Sequence, residues 1–218
     1  MDGHAITAGA HGAHGAHDEH HEIEIPYTVH ARPDTGVYNG KLGIWLFLAS
    51  EVMLFGALFS TLVLLRTSAP VWPHGWEILN IPLATLNTFV LIGSSVTVIL
   101  AWANLRLGDL RKGKIFLALT LLCGLGFMVI KTIEYTTKFS HHQYPSTNNF
   151  FATYFVLTGL HGLHVLGGMV VFAYLLMTAN KWYAEKRDQF TNRVEVTGLY
   201  WHFVDLVWIF LFPILYLL

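Results

Sequence analysis

Ionisable side chains lie deep inside three long apolar segments of this sequence. They are Glu51 in residues 42–65, His161 and His164 in residues 150–179, and His202 and Asp205 in residues 196–218. Carboxylates and imidazoles can ligate a metal, pass protons or hydrogen-bond to each other. A charged group in hydrocarbon costs several kcal/mol unless it is paired. These positions therefore indicate either a functional site or a buried contact between helices.

Three kinds of site fit these residue types. A metal or haem site would use suitable ligands, but His161 and His164 are three residues apart and no Glu-x-x-His pair accompanies them. A proton or ion path would need titratable groups that reach both surfaces, and residues 82–105 contain none. The third kind is structural, with hydrogen bonds that join helices and hold lipid or a partner. We favour this third interpretation.

The spacing of these groups predicts a shared depth. Glu51 and Asp205 are each the tenth residue of a segment running in the same direction, about 14 Å from its start at the helical rise. The two histidines of residues 150–179 lie about 16–21 Å from the opposite end of a longer segment. We therefore expect one hydrogen-bonded layer that joins the first, fourth and fifth segments. Its members are Glu51, His161, His164, His202 and Asp205.

The segments that carry these groups predict an all-α polytopic membrane protein, a bundle of five transmembrane helices. Charged residues make up 12% of the chain and hydrophobic residues 54%, whereas a soluble domain has about 25% charged residues. A membrane span needs about 20 apolar residues. The five predicted spans are residues 42–65, 82–105, 115–135, 150–179 and 196–218. Together they form one transmembrane domain, residues 39–218.

Residues 1–38 are predicted to be a disordered, His-rich cytoplasmic tail. A Gly-Ala-His unit repeats over residues 9–17, and such sequence cannot bury enough apolar surface to order itself. Metal chelation by the histidines is the alternative function of the tail. Cys123 stands alone in an apolar segment, which predicts a packed apolar side chain and no disulfide.

Basic residues predict the orientation of the bundle. Ten lysines and arginines fall on the side of the N-terminus, whereas only Arg66, Lys131 and Lys138 fall on the other side. The positive-inside rule then places the N-terminus in the cytoplasm and the C-terminus outside. The sequence shows no phosphate-binding loop, no nucleophile–base pair and no basic–aromatic stripe for nucleic acid. We therefore predict no catalytic residue, no metal site and no nucleic-acid partner.

Five short motifs resemble subunit III of the haem–copper terminal oxidases. The motifs are residues 46–52 (LFLASEV), 82–89 (PLATLNTF), 133–135 (IEY), 158–165 (TGLHGLHV) and 200–208 (YWHFVDLVW). They occur in the family's order, and the resemblance covers about residues 40–218. It implies an accessory subunit of a bacterial inner-membrane complex that reduces oxygen and pumps protons.

The resemblance also implies partners and roles. The chain would carry no cofactor, because haem and copper belong to partner subunits. It would pack mainly on subunit I, also contact subunit II, bind phospholipid and sustain proton uptake into subunit I. Phe47, Glu51 and Arg66 are the implied lipid-binding residues. The family's intramembrane polar positions match Glu51, Glu134, His161, His164, His202 and Asp205.

The sequence departs from many family members in its number of spans. Those members have seven, and the match begins at their third; in some relatives the two missing helices are appended to subunit I. Ser50, Glu51 and the motif at 200–205 favour a cytochrome c oxidase. The alternatives are subunit III of a quinol oxidase, an accessory subunit of a nitric oxide reductase and, outside the family, a small transporter.

Overall fold

The computed structural model describes residues 36–217, which form six α-helices and a closing π-helical turn. The helices are α1 (Asn39–Ser68), α2 (Gly75–Ile78), α3 (Ile81–Leu107), α4 (Leu110–Ser140), α5 (Asn149–Glu185) and α6 (Arg187–Phe212), and the turn is Pro213–Leu217. No strand occurs within this range. All except α2 are long and apolar enough to cross a membrane. The predicted all-α, five-helix membrane bundle is confirmed. The predicted tail lies outside the described residues up to position 35.

Each spanning helix is longer than the apolar segment that predicted it. For example, α4 has 31 residues, about 46 Å of helix against a hydrocarbon core of about 30 Å. The added turns carry charged residues that a hydropathy count leaves out. Capping side chains set the starts: Asn80, Asp109 and Asn148 each accept a hydrogen bond from a backbone N–H in the first turn of α3, α4 and α5.

Helix α6 is the centre of the bundle and α1 is its outlying member. Helix α6 packs on α1, α3 and α5, and α4 closes the bundle between α3 and α5. By contrast, α1 buries three side chains seven residues apart, Leu48, Phe55 and Leu62. Such a stripe is a narrow seam, along which α1 contacts α6 and α5. Most of the remaining surface of α1 is apolar and exposed.

Glycine lets α4 and α5 close around the indole of Trp201 on α6. A Cβ on Gly168 would lie 2.7 Å from Trp201 Cε3, and one on Gly124 would lie 3.0 Å from Trp201 Cη2. Trp201 is fully buried, so its ring has no room to move aside. Small residues allow this kind of close approach in membrane bundles. Gly162, by contrast, faces open space.

We expect Gly168→Ala to destabilise the bundle and Gly162→Ala, on the same helix, to leave it unchanged. The added methyl at position 168 overlaps a fixed indole ring, and overpacking of this kind costs about 1–3 kcal/mol. The measurement is the thermal midpoint for loss of the monodisperse peak in detergent. Equal midpoints for the two variants would contradict the close packing of Trp201.

Candidate functional site

Glu51 of α1 and His164 of α5 form an intramembrane pair. His164 Nε2 lies 2.9 Å from Glu51 Oε2, and His164 Nδ1 lies 2.8 Å from the carbonyl oxygen of Leu160. Because a carbonyl oxygen can only accept, Nδ1 must carry a proton. The pair is then either imidazolium with carboxylate or neutral imidazole with carboxylic acid. Both forms have zero net charge, so a proton can pass between Glu51 and His164 without changing the net charge of the pair.

Aromatic rings surround this pair. The edge of Phe55 meets the His164 ring at 5.2 Å, and Tyr200 stacks on it at 6.4 Å while its hydroxyl donates to the His164 carbonyl. Phe47 packs in turn against Tyr200. The Glu51 and His164 side chains remain 13% and 14% exposed. The pair therefore joins α1 to α5 at the edge of the bundle, where lipid or a partner can reach it.

The other members of the predicted layer do not join this pair. His202 Nδ1 bonds to the hydroxyl of Ser95 on α3, not to Asp205. His161 is fully buried between Phe127 and Trp208, at ring distances of 5.6 and 5.2 Å. Among the described residues, neither the His161 nitrogens nor the Asp205 oxygens have a hydrogen-bond partner. The prediction of one continuous layer is wrong, because residues of equal depth point toward different neighbours.

Hydroxyl groups of α3 form a ladder that the sequence analysis missed. Thr88 accepts from Nε1 of Trp208 and Ser94 accepts from Nε1 of Trp201, both at 2.9 Å. Ser95 continues the ladder to His202. The lack of charged residues in residues 82–105 hid this role. The signal that could have found it is the similar spacing on the two helices: Thr88 and Ser94 are six residues apart, and their partners Trp208 and Trp201 are seven apart.

Glu134 belongs to a buried ionic cluster in the half of the bundle that contains the end of α4, the start of α5 and the C-terminal turn. Lys131 Nζ donates to Glu134 Oε2 at 2.9 Å, and the hydroxyls of Tyr154 and Tyr216 donate to Glu134 Oε1 at 2.9 and 2.8 Å. The Lys131 ammonium also lies 4.5 Å from the centre of the Trp208 ring. The cluster ties α4, α5 and the C-terminal turn together. Of the residues in this cluster, only Glu134 was predicted from the sequence as an intramembrane polar position.

An ion pair near the opposite surface of the bundle holds the start of α1. Lys41 Nζ lies 2.7 Å from Glu195 Oε1 on α6. The hydroxyl of Tyr38 donates to the backbone carbonyl of Asn192 at 3.1 Å. Together with Glu51 and His164, these contacts fix α1 to the bundle at two depths.

The implied lipid-binding residues lie along α1 rather than in one pocket. Phe47 is exposed one turn before Glu51, and Arg66 lies in the last turn. Between Glu51 and Arg66, a mainly apolar cleft of about 150 Å³ separates α1 from α5. Leu58 and Thr61 form one wall of it. Its lining suits an acyl chain and offers no ionic group.

No group of three or more metal-ligating side chains occurs within residues 36–217. The nearest approach is the Glu51–His164 pair, which has only two possible ligands and is closed by aromatic rings. The absence of a redox centre from the whole chain stays a prediction.

Comparison with known proteins gives one consistent family. A family model described as cytochrome c oxidase subunit III matches residues 21–218. Quinol oxidase subunit 3 of Bacillus subtilis (strain 168) is 36% identical over 187 residues, which cover 85% of this chain and 89% of that protein. Cytochrome c oxidase subunit 3 of Bacillus sp. (strain PS3) is 33% identical over 183 residues, which cover 83% of this chain and 86% of that protein. Cytochrome bo(3) ubiquinol oxidase subunit 3 of Pseudomonas putida is 33% identical over 179 residues, which cover 81% of this chain and 84% of that protein.

Proposed function

We propose that this chain, which belongs to the cytochrome c oxidase subunit III family, serves a proton-pumping oxidase whose electron donor is cytochrome c. The family match over residues 21–218 is the observation that carries the assignment to subunit III. The choice of donor rests on the resemblance of the Ser50–Glu51 motif and of residues 200–205 to the cytochrome c branch. Quinol is the alternative donor, favoured by the similarity to quinol oxidase subunit 3 of Bacillus subtilis.

The arrangement of polar groups supports an accessory role. Three polar contacts each join two helices or a helix and the terminal turn: Glu51 with His164, Ser95 with His202, and Glu134 with the hydroxyls of Tyr154 and Tyr216. Aromatic rings of Phe127 and Trp208 flank His161 between them. A proton path would need a continuous series of exchangeable groups or water, whereas these polar groups form separate contacts between helices.

Subunit I is the proposed main contact and subunit II a second one, and these partners hold the haem and copper.

Phospholipid is the proposed ligand of the α1–α5 cleft. The apolar lining of the cleft fits an acyl chain. Arg66, in the last turn of α1, is the proposed contact of the phosphate headgroup, because a guanidinium binds phosphate oxygens well. Phe47 and Glu51 would lie beside the end of the acyl chain that reaches deeper into the membrane.

The proposed location is the bacterial inner membrane, with the N-terminus in the cytoplasm and the C-terminus outside. The excess of lysine and arginine on the side of the N-terminus supports this orientation. We expect Ser146→Cys, in the loop before α5, to react with an impermeant maleimide on intact cells, and Arg111→Cys to react after the membrane is opened. Both variants would carry Cys123→Ala. The reverse pattern would refute the orientation.

The function is tested by isolating the tagged chain from its host membranes in mild detergent. We expect haem absorbance and oxygen consumption to co-purify with it, and reduced cytochrome c to sustain more turnover than a quinol. Turnover with quinol alone would assign the complex to the quinol oxidases. Isolation of the chain with no haem protein would refute the function and favour a transporter.

Glu51→Gln should leave most of the oxidase turnover and proton pumping intact, because an accessory carboxylate carries no obligatory proton. Glutamine can still hydrogen-bond to His164. Glu51→Leu, the matched control, removes that bond and should lower retention of the chain in the complex. Turnover and pumping are measured in vesicles. Loss of pumping by the glutamine variant, with assembly intact, would place the carboxylate in a proton path.

A further inference from the structure

A groove runs between α3 and α6 along their halves nearest the start of α1. Ile99 and Trp102 of α3 face Leu199 and His202 of α6 across a cleft of about 170 Å³. We propose that this α3–α6 groove docks a transmembrane helix of another subunit, one that presents a polar side chain to His202. The naming of that neighbour as an oxidase subunit rests on the proposed function.

The shape of the groove suits a helix. The two helices approach closely at Gly198, where a Cβ would lie 2.9 Å from Val98 Cγ1. Helix α3 presents Ser95, Ile99 and Trp102 to one side of this contact, with spacings of four and three residues. Alternating spacings of three and four residues form the seam into which a packed helix inserts its side chains.

The opposite wall repeats this pattern on α6. Leu199 and His202 are three residues apart and line the groove, and Leu206 lies four residues further along the same face. Ile99 in the groove is 51% exposed, and Leu206 beyond it is 49% exposed. The walls are therefore apolar where they face outward. Among the described residues, no side chain of α1 lines the groove.

Polar atoms in the groove select a helix over lipid. Nδ1 of His202 is occupied by Ser95, and its Nε2 has no hydrogen-bond partner among the described residues. The buried Nε1–H of Trp102 also has none. His202 lies seven residues, about 10 Å, deeper than Glu195. At that depth an acyl chain would leave the imidazole nitrogen without a hydrogen-bond partner, whereas a polar side chain of a helix would supply one.

Charge also limits the choice of partner. Glu195 at the shallow end of the groove is paired with Lys41. The guanidinium of Arg106 lies 5.5 Å from the centre of the Trp102 ring, also at the shallow end. Among the described lining residues Glu195 is the only carboxylate and none is Lys or Arg, so a charged partner residue would find no counter-ion at the depth of His202. An uncharged side chain such as Asn, Gln, Ser, Thr or Tyr can reach Nε2 of His202 without that penalty.

Three substitutions separate docking from internal structure. His202→Leu removes both ring nitrogens, whereas His202→Gln keeps a polar group and Ser95→Ala keeps the imidazole but removes its bond to α3. In detergent-purified complex, we expect His202→Leu to retain about threefold less of this chain than the other two, the effect of one membrane hydrogen bond. Equal retention in His202→Leu and Ser95→Ala would mean that His202 acts only within the bundle and would overturn the proposal.

Photocrosslinking tests the groove without altering His202. Ile99 is replaced by benzoylphenylalanine in the intact complex, and Leu122, exposed on α4, is replaced as the matched control. We expect position 99 to form a stronger adduct with another polypeptide than position 122 does. Adducts of position 99 with phospholipid alone, or no adduct in intact complex, would overturn the proposal. If the chain carries no haem protein yet position 99 captures a polypeptide, the docking groove stands and the proposed function fails.

Discussion

The structure depends on one constraint: polar groups inside hydrocarbon need hydrogen-bond partners, because water at the membrane surface cannot compensate a group that lies two turns deep. Several of the partners lie on a neighbouring helix, as between Glu51 and His164 or between Ser94 and Trp201. Each pair satisfies two groups and fixes the relative rotation of two helices. The polar groups that fix how the helices pack are the same groups that lower the mean hydropathy of the spans.

Helix α6 applies this constraint most fully. The indoles of Trp201 and Trp208 are completely buried and their N–H groups bond to α3. The Trp201 ring fills the space left by Gly124 and Gly168. Beyond α6, Tyr216 of the terminal turn donates to Glu134. Because α6 carries contacts to three spanning helices, its position sets the geometry of the whole bundle.

Helix α1 shows what happens where internal contacts are few. Its attachment rests on a seam of three buried side chains and on the Lys41–Glu195 and Glu51–His164 pairs. The cleft between α1 and α5 follows from this sparse packing. The exposed surface of α1 is thus where lipid or neighbouring helices of a complex have room to bind.

The sequence by itself determined the all-α class, the five spans and the family, because apolar length and short motifs are local properties of the chain. It also identified Glu51, Glu134 and His164 as intramembrane polar positions that prove to be paired. Only the tertiary structure decided the partners. Depth along a helix follows from residue number, but direction around the axis depends on how each helix is rotated against its neighbours. For that reason His202 meets Ser95 rather than Asp205, and the polar contribution of α3 comes from hydroxyls that no count of charges reveals.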